Sequence, residues 1–283
     1  MNSNHLNDWL SKKQKQSLLM GILNVTPDSF SDGGHYFKKN SAVKHALKMV
    51  DEGADIIDIG GESTKPFSDP VSLDEELSRV LPVIEAIRKE TDVCISIDTT
   101  KSEVANQALK VGASIINDVS AMEFDKDMVD IALKFDCPIV LMHMKGVPKN
   151  MQENPQYSSL ISDIISYLNT RIDFVISKGV DRKKIIIDPG IGFGKSVENN
   201  FEIINNLNQF TKLGYPVLLG ASRKSFIGIT LDVPEDDRIE GSLAANVIGL
   251  QKGVSVFRVH DVDQTRKALT IAKKILNSQQ YIS

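Results

Sequence analysis

Eight times along its 283 residues this chain repeats one pattern: a short run of apolar, often β-branched residues, a polar or glycine-rich loop, and an amphipathic stretch with helical spacing. The apolar runs fall at residues 18–23, 56–59, 93–97, 114–116, 138–142, 185–187, 216–219 and 255–259. Helical stretches lie near 41–52, 72–89, 101–111, 125–135, 157–178, 197–208, 238–252 and 262–276. Continuous rather than alternating apolar runs belong to strands covered on both faces, as in a parallel sheet under helices. Eight such units predict an α/β fold, a single (β/α)8 TIM barrel, with an open doubly wound sheet as the alternative. No Pro/Ser-rich linker divides the chain, so residues 1–283 read as one domain with tails at 1–17 and 277–283. Ser72 with Glu75 three residues on predicts a capping box, and Ser41 a cap for the first barrel helix.

A barrel places its chemistry on the loops that follow the strands. The residues just past the runs are Asn24, Asp58 with Glu62, Asp98, Asn117, His143, Asp188, Ser222-Arg223-Lys224, and Arg258 with His260. Some would cap the next helix, but hydrogen-bonding groups at all eight positions exceed what capping needs. The chain carries 33 basic and 37 acidic residues, a net charge of −4, which offers no general attraction to nucleic acid or an anionic membrane. An anionic substrate must therefore meet a local cluster of cations. Cys94 and Cys137 each begin an apolar run and read as small buried hydrophobes. The polar start of the chain lacks the apolar segment of a signal peptide, and no apolar stretch is long enough to span a membrane, so a cytoplasmic protein is expected.

Asp98, Asn117 and Asp188 leave from the third, fourth and sixth runs and would converge in a barrel. Ionised carboxylates only accept hydrogen bonds, whereas an amide both donates and accepts. The trio suits a flat heterocycle rich in N–H donors, such as the guanidine-like edge of a 2-amino-4-oxopterin. Ser222-Arg223-Lys224 and Arg258-Val259-His260 follow the seventh and eighth runs, where barrels most often bind phosphate. Gly194-Lys195-Ser196 resembles the end of a phosphate-binding loop, but Pro189 stands where its first glycine belongs. Residues 190–194 read instead as a tight loop with Phe193 at its tip. His143 has no partner at metal-ligand spacing. Asn24, Asp28 and Asp32 mark a long first loop without a basic residue. Such groups beside a cationic pocket suit either a hard metal ion with oxygen ligands or a cationic intermediate.

The segments MGILNVTPDSFSDGG, GADIIDIGGESTKP, ISIDTTKSEVA, INDVSA, PIVLMHMKG, IIIDPGIGFGK, SRKSFIG and RVHDV, in that order from Met20 to Val262, resemble those of dihydropteroate synthases. That family condenses 7,8-dihydropterin-CH2-pyrophosphate with p-aminobenzoate and releases pyrophosphate. The resemblance implies that Asp98, Asn117, Asp188 and Lys224 hold the pterin ring, with Arg258 against it. It implies that Arg258 and His260 hold the pyrophosphate and that Asn24 meets its Mg2+. Thr64, Pro66, Phe193 and Ser222 would border p-aminobenzoate, whose carboxylate the helix beginning near Ser222 would receive. Early loss of pyrophosphate would leave a pterin-methylene cation; Asp98, Lys224, Asp28 and Asp32 are the catalytic candidates around it. A homodimer is the family expectation. The chain departs from the usual S-T-R-P pattern at Lys65, where lysine lacks the planar fork of arginine. Two alternatives share the pterin trio: a corrinoid methyltransferase using methyltetrahydrofolate, and a catalytically silent pterin-binding barrel.

Overall fold

All eight apolar runs form strands: β1 (Leu18–Asn24), β2 (Ile56–Gly60), β3 (Cys94–Asp98), β4 (Ile115–Asp118), β5 (Ile139–Met142), β6 (Ile185–Asp188), β7 (Leu218–Leu219) and β8 (Val256–Val259). The computed structural model describes residues 1–13, 15–26, 35–63, 68–147, 151–152 and 155–278. The strands are parallel and ordered β6-β5-β4-β3-β2-β1-β8-β7. Ile187 N donates to Pro216 O at 3.0 Å, and a parallel bridge joins Ile187 to Val217. These bonds bring β6 to β7 and close the sheet on itself, which excludes the open doubly wound alternative.

The helices are α1 (Ser3–Ser11), α2 (His35–Asp51), α3 (Leu73–Glu90), α4 (Ser102–Lys110), α5 (Met128–Phe135), α6 (Leu160–Ser177), α7 (Val197–Asn205), α8 (Leu207–Thr211), α9 (Ser225–Leu231), α10 (Ile239–Gln251) and α11 (Val262–Ser278). Ser72 caps α3 by accepting from Glu75 N, but the Glu75 carboxylate pairs with Arg79, so only half of the expected capping box is made. Ser41 caps nothing, because α2 begins at His35 and Ser41 lies inside it. The helices pack their apolar stripes against the outer strand faces, where Ile57, Ile95, Ile116 and Ile187 have no exposure. Among the described residues no helix is long and apolar enough to cross a membrane.

Inside the barrel, alternation along parallel strands sets two layers. Met20, Ile56, Cys94, Ile115, Val140, Ile186, Leu218 and Val256 form the lower, apolar layer. Leu6, Trp9 and Leu10 of α1 cover it, and the Trp9 indole N–H donates to Gln16 O at 2.7 Å. The tail at 1–17, unassigned in the sequence, thus contains in α1 the plug that closes the bottom of the barrel. Two residues beyond the lower layer, at the same parity, come Asp58, Asn117, Asp188 and Arg258; Asp98 lies four beyond Cys94. β1, β3, β4 and β6 therefore begin apolar and end on a polar side chain. Burying the isoleucines and valines stabilises the barrel by roughly 1.5–3 kcal/mol per side chain, which lets its upper end carry groups that are costly to bury.

Candidate active site

The floor of the upper end is a network of paired polar groups. Asp58 is completely buried, and Asp98, Asn117 and Asp188 are 8, 5 and 6 % exposed. The Asn117 amide nitrogen donates to Asp58 at 3.2 Å. Arg258 spans two carboxylates, donating from Nε to Asp58 and from a terminal nitrogen to Asp98, both at 2.6 Å. One Asp188 oxygen accepts from Gly190 N at 2.6 Å. The expected trio is brought together, and Asp58, which the sequence marked only as a rim residue, sits beneath it. Burial pushes the Asp98 carboxyl up to about 7, with Arg258 opposing and Asp58 adding to the shift. Burial likewise raises Asp188 to about 6. Burial lowers an arginine, yet Asp58 and Asp98 hold Arg258 above its ordinary value.

Above this floor lies a cavity of about 610 Å3, lined by Ile22, Asn24, Gly192, Ser222, Lys224, Ser225, Arg258 and His260 among others. The Lys224 ammonium stands over the Phe193 ring at 4.0 Å from its centroid. Burial, with Arg258 nearby, lowers Lys224 to about 8. His260 is brought to the cavity as expected but not as a cation: burial, then Arg258 and Arg223, push it down to about 4. Its Nδ1 lies 3.0 Å from the Ser222 hydroxyl, which also accepts from His260 N. Ser222 therefore orients His260. Arg223, on a left-handed backbone (φ 56°), also lines the cavity and makes a two-point contact with Asp261. The serine exposed at the first turn of α9 is Ser225, a position the sequence reading passed over; its place beside Lys224 in SRKS was the available signal.

Asn24 is half-buried at the end of β1, opposite Gly60 in the pairing with β2. Its amide oxygen is a hard donor of the kind Mg2+ takes, and Mg2+ commonly keeps waters and phosphate oxygens rather than a full protein cage. Among the described residues no group of three His, Cys, Asp or Glu could hold a metal ion. Thr64, Lys65, Pro66, Asp28 and Asp32 lie outside the described residues.

The neighbouring loops are built to hold the floor still. Asp118 accepts from Ser120 N, the Ser120 hydroxyl and Met122 N, supporting left-handed Ala121 and Met122. Lys195, which sequence spacing dismissed as a phosphate-loop lysine, is 2 % exposed and bridges two loops. Its Nζ reaches His143 Nδ1 at 2.9 Å, His143 O at 3.2 Å and Phe193 O at 2.9 Å. A Cβ on Gly190 would stand 1.9 Å from His143 O, so only glycine lets these loops meet. Phe193, at the tip of this loop as expected, is 6 % exposed among Val119, Met142 and Met151 and gives the site an apolar wall.

A family model described as "Pterin binding enzyme" matches residues 20–260. The chain is 50 % identical to dihydropteroate synthase of Bacillus subtilis over 268 residues, 95 % of this chain and 91 % of that protein. The chain belongs to the dihydropteroate synthases. A Clostridium difficile dihydropteroate synthase solved in the presence of pteroic acid superposes with a TM-score of 0.87 at 45 % identity, covering 92 % of this chain and 97 % of the other. A Xanthomonas albilineans dihydropteroate synthase solved with 4-aminobenzoic acid gives 0.87 at 42 %, covering 92 and 93 %. As a dihydropteroate synthase the chain is a transferase: it condenses 7,8-dihydropterin-CH2-pyrophosphate with p-aminobenzoate, giving 7,8-dihydropteroate and pyrophosphate in folate biosynthesis. This relationship sets the corrinoid methyltransferase alternative aside.

Proposed function

We propose that in this reaction the pterin ring is held by Asp98, Asn117, Asp188 and Lys224, with its pyrophosphate reaching toward Asn24, Arg258 and His260. The observation that carries this reading is the group of buried acceptors tied by Arg258 to the cavity that Arg258 and Lys224 line. Phe193 and Ser225 line the side from which p-aminobenzoate approaches, and the Ser225 hydroxyl is offered to its carboxylate. Thr64 and Pro66 from the second loop belong to the same proposal, as does Mg2+ at Asn24, which would supply charge neutralisation on the pyrophosphate.

The C–O bond breaks with its electron pair leaving on pyrophosphate, and the amine nitrogen of p-aminobenzoate forms the new C–N bond before losing a proton. Arg258 and neutral His260 stabilise charge on the departing group by hydrogen bonding, a contribution of roughly 3–4 kcal/mol for one well-placed donor. Asp98, with Asp28 and Asp32 of the first loop, stabilises positive charge developing on the pterin methylene. No strong base is needed, because an arylamine is neutral at pH 7. Titration calorimetry with 6-hydroxymethylpterin tests the placement. Asp188→Ala and Lys224→Ala should each weaken binding by roughly 10-fold to 150-fold, the equivalent of about 1.5–3 kcal/mol for a hydrogen bond to a charged group. Unchanged affinity in both would remove the ring from this floor.

Assembly as a homodimer and a cytoplasmic setting are part of the proposal. Exposed Phe201, Ile229, Leu231, Ile271 and Ile275 lie on α7, α9 and α11, and α10 contacts both α7 and α11; this apolar side supports pairing. Cys94 and Cys137, buried as free thiols, are compatible with a reducing compartment.

A further inference from the structure

We infer that Asp58 is a specificity-determining, positioning residue of the pterin site: it holds the Asn117 amide nitrogen inward, so that Asn117 offers the ligand an acceptor. The inference rests on the ring placement proposed above. Asp58 has no exposure and both of its oxygens face Asn117 or Arg258, so it acts through its neighbours. Its oxygens lie 3.2 and 3.4 Å from Asn117 Nδ2. A carboxylate can only accept, so the amide must turn its nitrogen toward Asp58; the flipped amide would set oxygen against oxygen. Arg258 Nε grips Asp58 from a second side at 2.6 Å and stops the carboxylate from following a rotating amide.

The consequence is a one-sided hydrogen-bonding surface. Asp98 uses one oxygen on Arg258, Asp188 uses one on Gly190 N, and Asn117 uses its nitrogen on Asp58. The oxygens of the trio left without a protein partner among the described residues are Asp98 Oδ1, Asn117 Oδ1 and Asp188 Oδ2, all three acceptors; the buried Ser96 hydroxyl, two residues before Asp98, also lacks one. Lys224 supplies the opposing donor. Such a surface suits several adjacent N–H groups followed by one carbonyl, as on a 2-amino-4-oxopteridine. A 2-oxo ring would bring an acceptor where the site already holds acceptors, and buried groups left mispaired in this way are strongly rejected. Without Asp58 the Asn117 amide can flip and donate to that oxygen, so the discrimination weakens.

Calorimetric affinities for 6-hydroxymethylpterin and its 2-oxo counterpart, 6-hydroxymethyllumazine, test this on wild type and Asp58→Asn. Wild type should prefer the pterin by at least about 100-fold, and Asp58→Asn should reduce that preference tenfold or more. Equal weakening of both ligands, with the ratio unchanged, would make Asp58 merely structural and overturn the inference. Asn117→Ala separates the premise: if it leaves wild-type pterin affinity intact, the ring does not lie on Asn117, and the inference falls with the placement. Should Asp58→Asn fail to fold, exchange of the Asn117 side-chain amide protons in wild type, followed by NMR, serves instead. Protected protons are expected, and exchange at the rate of a free amide would contradict the anchoring.

Discussion

Single residues at the barrel mouth have titrations tuned by burial, and this sets the pH response. Asp98, raised to about 7, acts as a carboxylate toward the pterin, so activity gains as pH rises through 7. Lys224, lowered to about 8, acts as an ammonium donor, so activity is lost as pH rises through 8. The kcat/KM for the pterin substrate, which reports the free enzyme, should therefore peak between about 7 and about 8. If Lys224→Arg retains turnover, its alkaline limb should move well upward, because guanidinium stays charged; a limb that stays in place would assign it elsewhere. His260, lowered to about 4, contributes no limb near neutrality. At this scale the sequence carried the identities but not the pairings. That Arg258 is held by Asp58 and Asp98, and that Arg223 turns to Asp261, depends on contacts between residues 160, 200 and 38 positions apart.

Among the elements, the strands were legible because parallel strands under helices are apolar on both faces, and Ile56–Ile59 or Ile185–Ile187 hardly fit another environment. The helix limits were less so: α2 extends past Ser41 toward a start that no cap in the sequence announces. α1 was missed because Leu6, Trp9 and Leu10 are isolated in a polar segment, and their stripe acquires meaning only against the open bottom of a barrel. Since that plug lies at the opposite end from the site, its stability and activity effects should separate. Trp9→Ala should cost about 3–5 kcal/mol, the range for truncating a buried tryptophan, measured by chemical denaturation. It should leave kcat at 25 °C within about twofold, a ratio that corresponds to under half a kcal/mol of barrier. A large loss of kcat in protein that is still folded would tie α1 to the chemistry instead.

For the whole molecule, fold class and family were legible because eight units and eight ordered motifs constrain one another, so an error in one segment leaves the reading intact. Assembly was not, since an exposed isoleucine in a sequence looks the same as a buried one. The barrel leaves Ile229 on α9 and Ile271 and Ile275 on α11 at 67, 61 and 63 % exposure. Sedimentation analysis should find a dimer that Ile229→Glu or Ile275→Glu shifts toward monomer; a monomeric wild type would contradict the proposed pairing.

The central claim, a working synthase whose pterin floor depends on Lys224, is tested most directly by pyrophosphate release from 7,8-dihydropterin-CH2-pyrophosphate with Mg2+, with and without p-aminobenzoate. Release that requires p-aminobenzoate and falls by about 100-fold or more in Lys224→Ala, a loss of about 2.7 kcal/mol of transition-state stabilisation, is the expected result. Pterin binding without any release by wild type would contradict it and leave a silent pterin-binding barrel.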